Sequence, residues 1–445
     1  MTEGPIGSTI VKFCIPMILG QLFQQLYNTT DALIVGRMLG ARALASVSAT
    51  GNLVGLLVSF FAGIASGASI ITSRFYGAKD QVNLEKAIHT NITMGIVTSF
   101  FLTAVGLLFT PSILRMMHTP DDIIADSILY LRIFFGGIIG LVMYNTCMGI
   151  MRALGDSKHP LYYLIFSSLL NVFLDIAFIG QLHMGVDGAA YATILAQLLS
   201  ACLAMGRMLR TTDVYNVQLS KLGMDFGLLK MIFTYGVPAG FQSCAVSLSN
   251  VFIQSSVNTF GSMAVAGFGA ASKIEQFALI PISTLPQATA TFVGQNLGAG
   301  EKERARKGSR FTLTLGASIS LLMGACLYFF APQLLGFYTT EEAAIASGAL
   351  RIHICAPFFF LTSITHNCTS VLRGSGRSTI PMLVTLSTWC LFRVLICKLV
   401  VPIIGRIEVV FWAYPITWMM SASILMFYYL KVDWTIPKED LKKTA

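Results

Sequence analysis

The sequence predicts an all-α integral membrane protein with twelve transmembrane helices, and three observations support this fold class. Of the 445 residues, 55% are hydrophobic and only 11% are charged, whereas soluble domains carry about 25% charged residues. Apolar runs of about 20 residues, long enough to cross a bilayer, recur along the chain between short polar turns. The second half of the chain also repeats the sequence pattern of the first half.

Each predicted span is an apolar run that closes at polar residues, glycine or proline. The twelve spans are 10–35, 43–73, 88–111, 127–150, 160–181, 187–208, 229–253, 264–295, 310–333, 346–371, 381–402 and 408–430. The one long connection follows the sixth span. We therefore expect an N-terminal six-helix bundle over 1–206, a cytoplasmic linker over 207–230 and a C-terminal six-helix bundle over 231–445.

The basic residues are distributed unevenly between the two sides of these helices. Loops after even-numbered helices hold sixteen Lys and Arg residues, and loops after odd-numbered helices hold four. Because cytoplasmic loops are enriched in Lys and Arg, this pattern places both termini in the cytoplasm and the chain in the cell (inner) membrane. The formal net charge of +9 is thus explained by topology, and we expect no nucleic-acid partner.

An internal duplication relates the two halves at offsets of 222 and then 221 residues. The matched pairs are Pro16 with Pro238, Asn28 with Asn250, Cys147 with Cys368, Arg152 with Arg373, Gly155 with Gly376, and Pro160 with Pro381. Six helices return the chain to the side on which it started, so the two halves share one orientation. The repeat therefore predicts two bundles related by a pseudo-two-fold axis along the membrane normal, which is a transporter architecture.

Two acidic residues lie inside predicted spans of the first half. Asp31 is the only charged residue between Lys12 and Arg37, and Asp175 is the only acidic residue of the fifth span. Counted from Lys12 and Lys158, they lie about 28 Å and 26 Å along their helices. The two carboxyl groups are therefore expected at nearly the same depth in the membrane.

An amide side chain accompanies each carboxyl group. Asn28 precedes Asp31 by three residues and Asn171 precedes Asp175 by four, so each pair shares a helix face. Oxygen ligands of this kind suit Na⁺, and two close carboxylates also favour a shared proton. The alternative is that each Asp caps a helix end or pairs with a base, but intramembrane carboxylates are costly and usually functional.

The second half lacks this acidic pair, because Ile253 and Ile396 occupy the equivalent positions. Its intramembrane charges are Lys273, Glu275, Arg393 and Lys398. They are candidates for contact with substrate, but mutual neutralisation or extension of the long side chains to a membrane interface is an equal alternative.

Two further features of the sequence are a proline inside the first helix and the absence of motifs for ATP or metal binding. Pro16 lies inside the first helix and removes a backbone hydrogen bond, which permits a bend. The sequence contains no Gly-Lys dipeptide and so no P-loop for ATP, and its histidines have no paired metal-ligand spacing. We therefore expect neither an ATP-driven pump nor an enzyme, and no cofactor.

The sequence resembles the MATE family of multidrug and toxic compound extrusion transporters over nearly its whole length. The resemblance rests on Pro16, "DALIVGRMLGARALASVSA" from Asp31, "MRALGDSKHP", "NVFLD", "AYATILAQ" and the six-plus-six repeat. NorM-type members carry additional carboxylates in helices seven and ten, which "FQSCAVSLSNVFIQSSVN" and "APFFFLTSITHNCTSVL" lack. The chain is therefore more similar to the DinF-like branch.

The resemblance implies a secondary transporter that exports cationic or lipophilic organic compounds in exchange for Na⁺ or H⁺. It implies a cation site formed by Asp31, Asn171, Asp175 and Thr193, and a helix one that bends at Pro16. The expected partners are these small substrates and membrane lipid, and we expect a monomer. The alternatives are a flippase for lipid-linked precursors from the same superfamily and an ion-conducting channel.

Overall fold

The computed structural model describes residues 1–117, 119–211 and 213–436, except for the side chains of residues 41, 52 and 53. The last part of the predicted C-terminal bundle, 437–445, lies outside the described residues. Within the described part, the secondary structure is helical, and no strand occurs. The predicted all-α fold class is confirmed.

The first half contains seven α-helices. They are α1 (Ile6–Met38), α2 (Ala41–Gly77), α3 (Gln81–Met116), α4 (Asp121–Gly136), α5 (Ile138–Ala153), α6 (Lys158–Asp175) and α7 (Val186–Arg210). A π-helical turn, Ile176–Gln181, continues α6. The start of α3 is capped by Asp80, whose carboxylate accepts a hydrogen bond from the backbone N–H of Asn83 at 3.1 Å.

The second half contains ten α-helical segments. They are α8 (Phe226–Asn258), α9 (Ser262–Ala278), α10 (Ile280–Gly298), α11 (Lys302–Gly336), α12 (Glu342–Cys355), α13 (Phe359–Gly374), α14 (Thr379–Thr385), α15 (Arg393–Leu395), α16 (Val401–Ile404) and α17 (Ile407–Lys431). The π-helical turns Leu386–Phe392 and Ile396–Val400 join α14, α15 and α16. The segment between α7 and α8 carries one short 3₁₀ turn, Leu219–Lys221.

The helices account for the predicted membrane spans. In the described residues, nine helical segments are long and apolar enough to cross a membrane, or eleven when each of two bent pairs counts as one span. The remaining predicted span, the seventh (229–253), falls in α8, which is equally long but carries Gln242, Ser247 and Asn250. Most helices extend beyond the predicted apolar runs, because helical hydrogen bonding continues through their polar ends.

Two spans that the sequence predicted as continuous are bent by more than 40°. In place of 127–150, α4 and α5 meet at 49°, and in place of 264–295, α9 and α10 meet at 42°. The first break falls at Gly136 and Gly137, which have no side chains to favour the helix. The second precedes Pro281, which has no N–H to continue the hydrogen-bond ladder.

The internal repeat is visible in the element boundaries. α4 and α12 begin 221 residues apart, at Asp121 and Glu342, and α7 and α17 also begin 221 residues apart, at Val186 and Ile407. The fourth and tenth spans are both interrupted, and the fifth and eleventh both contain π-helical turns. Helix-by-helix correspondence of this kind is what a duplicated six-helix unit predicts.

Contacts divide the chain into two compact units, Ile15–Phe233 and a second unit of Met1–Cys14 together with the residues from Thr234 onward. In the first unit, Ile88 of α3, Cys147 of α5 and Ala204 of α7 belong to one buried core. In the second unit, Phe268 of α9 and Ile352 of α12 belong to a core that also includes Trp418. Each unit therefore has its own apolar interior.

Close helix packing in the second unit depends on Gly267. A Cβ atom at this position would lie 2.3 Å from the backbone oxygen of Ala344, so α9 and α12 would have to separate. We expect Gly267→Ala to lower the free energy of unfolding by about 1–3 kcal/mol, measured by thermal unfolding in detergent.

Gly269 supplies the matched control, because a Cβ atom there meets nothing within 4 Å. Gly269→Ala should leave the unfolding temperature unchanged or raise it slightly, since alanine favours a helix over glycine. Equal unfolding temperatures for the two variants would contradict the packing assigned to Gly267.

Candidate functional site

The two acidic residues of the first half meet inside the first unit. Asp31 lies on α1, and Asp175 is the last residue of α6, directly before the π-helical turn. Their carboxyl groups are within side-chain hydrogen-bonding contact of each other. Asp175 is fully buried, so the predicted meeting of the two groups takes place in the protein interior.

Asn171 and Thr193 complete the polar cluster. With the Asn171 amide oriented as its neighbours require, its nitrogen donates to Asp175 Oδ2 at 2.8 Å and its oxygen accepts from the Thr193 N–H at 3.1 Å. The Thr193 hydroxyl donates to the backbone oxygen of Ala189 at 3.0 Å. The amide therefore ties α6 to α7 beside the carboxyl pair.

Two tyrosines that the sequence interpretation did not select also belong to the cluster. Tyr27 and Tyr130 are within hydrogen-bonding reach of Thr193 and lie near both carboxyl groups. Tyr27 could have been found from the sequence, because it precedes Asp31 by four residues and so shares its helix face. Tyr130 lies on α4, and no sequence spacing connects it to the site.

One oxygen of each carboxyl group has no hydrogen-bond donor. Within the described residues, Asp31 Oδ1 and Asp175 Oδ1 are buried and have no hydrogen-bond partner. Two carboxylates in contact repel each other unless a proton or a metal cation lies between them. The arrangement is therefore suited to hold one cation, with oxygen atoms available from the two carboxyl groups and the Thr193 hydroxyl nearby.

The surroundings of the carboxyl pair are mainly apolar. The described residues contain no group of three or more His, Cys, Asp or Glu side chains that could hold a metal ion. Apolar side chains that include Val35, Ile179 and Val186 form a buried cluster with Tyr130. Low polarity around the carboxyl pair strengthens its attraction for a positive charge.

The other predicted residues of the first unit lie in different environments. Asn28 is exposed and has no hydrogen bond to either carboxyl group among the described contacts. Its predicted place beside Asp31, in contact with substrate or in gating, stays a prediction. Pro16 lies inside α1 and is buried.

In the second unit, Glu275 does not pair with Lys273. Glu275 Oε2 instead forms an ion pair of 2.6 Å with Arg351 Nη2 on α12, and both side chains are buried. Lys273 is exposed. Mutual neutralisation of Lys273 and Glu275 is thus contradicted, because two residues apart on a helix they face different directions. The sequence interpretation missed Arg351, which lies near the start of its predicted span.

Arg393 does not extend to a membrane interface. Its side chain is 1% exposed, and its Nε and Nη2 atoms donate to the Thr417 hydroxyl at 2.9 and 2.7 Å. Lys398, five residues further on, is exposed and lies 5.4 Å from the centre of the Phe252 ring. The two basic residues of this span therefore have different environments.

A duplicated set of six membrane-length helices with a buried carboxyl pair in one copy defines a multi-pass membrane protein of the transporter class. The MatE family model matches residues 16–177 and again 238–399, so each half matches it once. The chain belongs to the MatE family of multidrug and toxic compound extrusion transporters. Its members are transporters and not enzymes.

Curated relatives agree with this assignment. The probable multidrug resistance protein YoeA of Bacillus subtilis is 30% identical, with 84% of this chain and 82% of that protein covered. The probable multidrug resistance protein YpnP of the same organism is 28% identical over 84% of each chain. The multidrug export protein MepA of Staphylococcus aureus is 20% identical over 84% of this chain and 83% of its own.

Solved structures share the fold. One described as the outward-facing conformation of a multidrug resistance MATE family transporter matches with a TM-score of 0.91 at 24% identity, covering 98% of this chain and 97% of the other. One of MATE in the bent conformation matches with a TM-score of 0.90 at 24% identity, covering 99% and 97%. These matches confirm the twelve-helix architecture.

Proposed function

We propose that this chain is a secondary active transporter that exports cationic or lipophilic organic compounds in antiport with Na⁺ or H⁺. The names of its relatives, two probable multidrug resistance proteins and one multidrug export protein, support this substrate class. Membership of the MatE family supports transport across a membrane.

The observation that carries the proposal is the carboxyl pair. Asp31 and Asp175 are in contact, and each has a buried oxygen atom without a donor among the described residues. Such a pair is stable only when a positive charge is present. In our proposal that charge is the coupling cation, and Asn171, Thr193, Tyr27 and Tyr130 hold the carboxyl groups in place.

The proposed cycle uses the cation to shift a conformational equilibrium. A cation taken up from outside neutralises the carboxyl pair and stabilises the conformation that holds it, with α1 bending at Pro16. Release of the cation inward restores the first conformation. The effect on the equilibrium equals the difference in cation affinity between the two conformations.

The remaining parts of the proposal concern organisation. The bundles 1–206 and 231–445 would move relative to one another about the linker 207–230. The protein would act as a monomer in the cell membrane, surrounded by lipid, with both termini in the cytoplasm. The excess of Lys and Arg in even-numbered loops supports this orientation.

Efflux of a fluorescent cationic dye by the purified protein in proteoliposomes tests the function, with Na⁺ and pH gradients imposed separately. We expect one inward cation gradient to accelerate efflux several-fold, and its dissipation by an ionophore to abolish the acceleration. A dye efflux rate that neither gradient changes would refute the coupling of export to Na⁺ or H⁺. Ion conductance without dye movement would instead indicate a channel.

A further inference from the structure

The second unit contains a buried group of basic and aromatic side chains, which we call the arginine cluster. It consists of Arg351 on α12, Arg393 on α15, and Tyr414 and Thr417 on α17, together with Glu275 on α9. Every member is at most 9% exposed. The cluster brings two guanidinium groups and one carboxylate into the interior of a membrane-spanning bundle.

The charge of Arg351 is compensated within the cluster. Its Nη2 donates to Glu275 Oε2 at 2.6 Å, and its Nη1 donates to the Phe268 backbone oxygen at 3.0 Å and to Ser272 Oγ at 2.5 Å. The guanidinium carbon also lies 3.9 Å from the centre of the Phe268 ring. This pair is a charge-neutral, hydrogen-bonded unit.

The charge of Arg393 is not compensated. The hydrogen-bond acceptor of its guanidinium is the neutral Thr417 hydroxyl, and among the described residues no carboxylate forms an ion pair with it. The ring centres of Tyr414 and Trp389 lie 4.6 and 5.1 Å from its Cζ atom. Aromatic faces attract a cation but carry no net charge, so the cluster keeps one net positive charge.

A fully buried charge inside a membrane protein normally has a counter-charge, because its desolvation is costly. Among the described residues Arg393 has no such partner, and Glu275 already forms an ion pair with Arg351. A small species with one negative charge would supply this counter-charge. A guanidinium is a donor for carboxylates and halide ions, and its fork geometry suits a planar carboxylate.

The internal repeat relates the arginine cluster to the carboxyl pair of the first unit. At the 221-residue offset shared by the element boundaries, Arg351 corresponds to Tyr130 and Tyr414 corresponds to Thr193. These two residues belong to the carboxyl cluster of the first unit. The duplicated helices thus form a polar site in each unit, negative in the first and positive in the second.

We propose that the arginine cluster is a binding site for a monovalent anion, either a halide ion such as chloride or a small carboxylate. Arg393 supplies the charge that attracts the anion, while the Arg351–Glu275 pair and the Thr417 hydroxyl hold the surrounding groups in place. The proposal does not depend on which compound is exported or on which cation drives export.

Thermal unfolding of the purified protein in detergent tests the site, with Na⁺ concentration and pH constant and the anion exchanged. Compared with bulky gluconate, we expect chloride, bromide or acetate to raise the unfolding temperature saturably by about 2–4 °C. A halide response indicates an inorganic anion, and a response to acetate alone indicates a carboxylate. The same shift in Arg393→Gln as in the wild type would overturn the proposal.

Lys398→Gln is the matched control, because it removes the same charge from an exposed residue of the same predicted span. It should keep the full anion response. Should Arg393→Gln fail to fold, bromide quenching of tryptophan fluorescence provides an independent test, since Trp389 lies beside Arg393. We expect a saturable component that Trp389→Phe removes, and purely collisional quenching in a wild-type protein that acetate also fails to stabilise would overturn the site.

Discussion

Replacing Asp31 or Asp175 with asparagine should reduce gradient-driven dye efflux by roughly 10- to 100-fold, the range of ordinary coupling free energies. Asparagine keeps the size of the side chain but removes the negative charge that attracts the cation. In our proposal the two contacting carboxyl groups form one site, so the double variant should be no worse than either single variant. Efflux from proteoliposomes under the effective gradient measures all three.

The control for these variants is Asp121→Asn. Asp121 is an exposed residue in the first turn of α4, so this variant changes the same chemical group away from the site. It should retain wild-type efflux, and all variants should elute as folded protein with wild-type unfolding temperatures or higher. Gradient-driven efflux at the wild-type rate in Asp175→Asn would refute the assignment of the cation site.

Breaking the ion pair of the second unit should have the largest effect on stability. The side chains of Arg351 and Glu275 are 6% and 8% exposed, and removal of one partner from a buried pair costs about 3–5 kcal/mol because the other charge remains buried. Glu275→Gln should therefore lower the free energy of unfolding by this amount. Chemical unfolding in detergent, followed by tryptophan fluorescence, provides the measurement.

A double variant distinguishes the loss of the Arg351–Glu275 ion pair from other effects of the Glu275→Gln substitution. Adding Arg351→Leu to Glu275→Gln removes the stranded charge and should recover at least half of the lost stability. Glu342→Gln, at an exposed site in the first turn of α12, should change stability little. If Glu275→Gln were as stable as Glu342→Gln, the pair would not contribute as the structure indicates.

The sequence was sufficient to predict the fold class and the meeting of two carboxyl groups. Apolar runs of membrane length determine helices because the bilayer leaves no other partner for backbone groups. The helical rise placed Asp31 and Asp175 at one depth, and the structure brings them into contact. Thr193 came from the family resemblance alone, and it lies beside Asn171.

Features that depend on packing between helices could not be predicted. Tyr130 and Arg351 reach their sites across helix interfaces, and no sequence spacing links them to Asp175 or Glu275. The bends of the fourth and eighth spans depend on how Gly137 and Pro281 are accommodated, and at Gly137 a Cβ atom would lie 2.6 Å from the Ile194 side chain. The sequence alone does not distinguish a glycine that such close packing requires from any other glycine.

The most direct test of the central claim is equilibrium binding of the coupling cation to purified protein. Radioactive Na⁺ binding at alkaline pH and proton uptake in Na⁺-free buffer cover the two cations. We predict that one of them binds saturably to the wild type and that both Asp31→Asn and Asp175→Asn lose this binding. Wild-type binding of that cation in either variant would contradict the account.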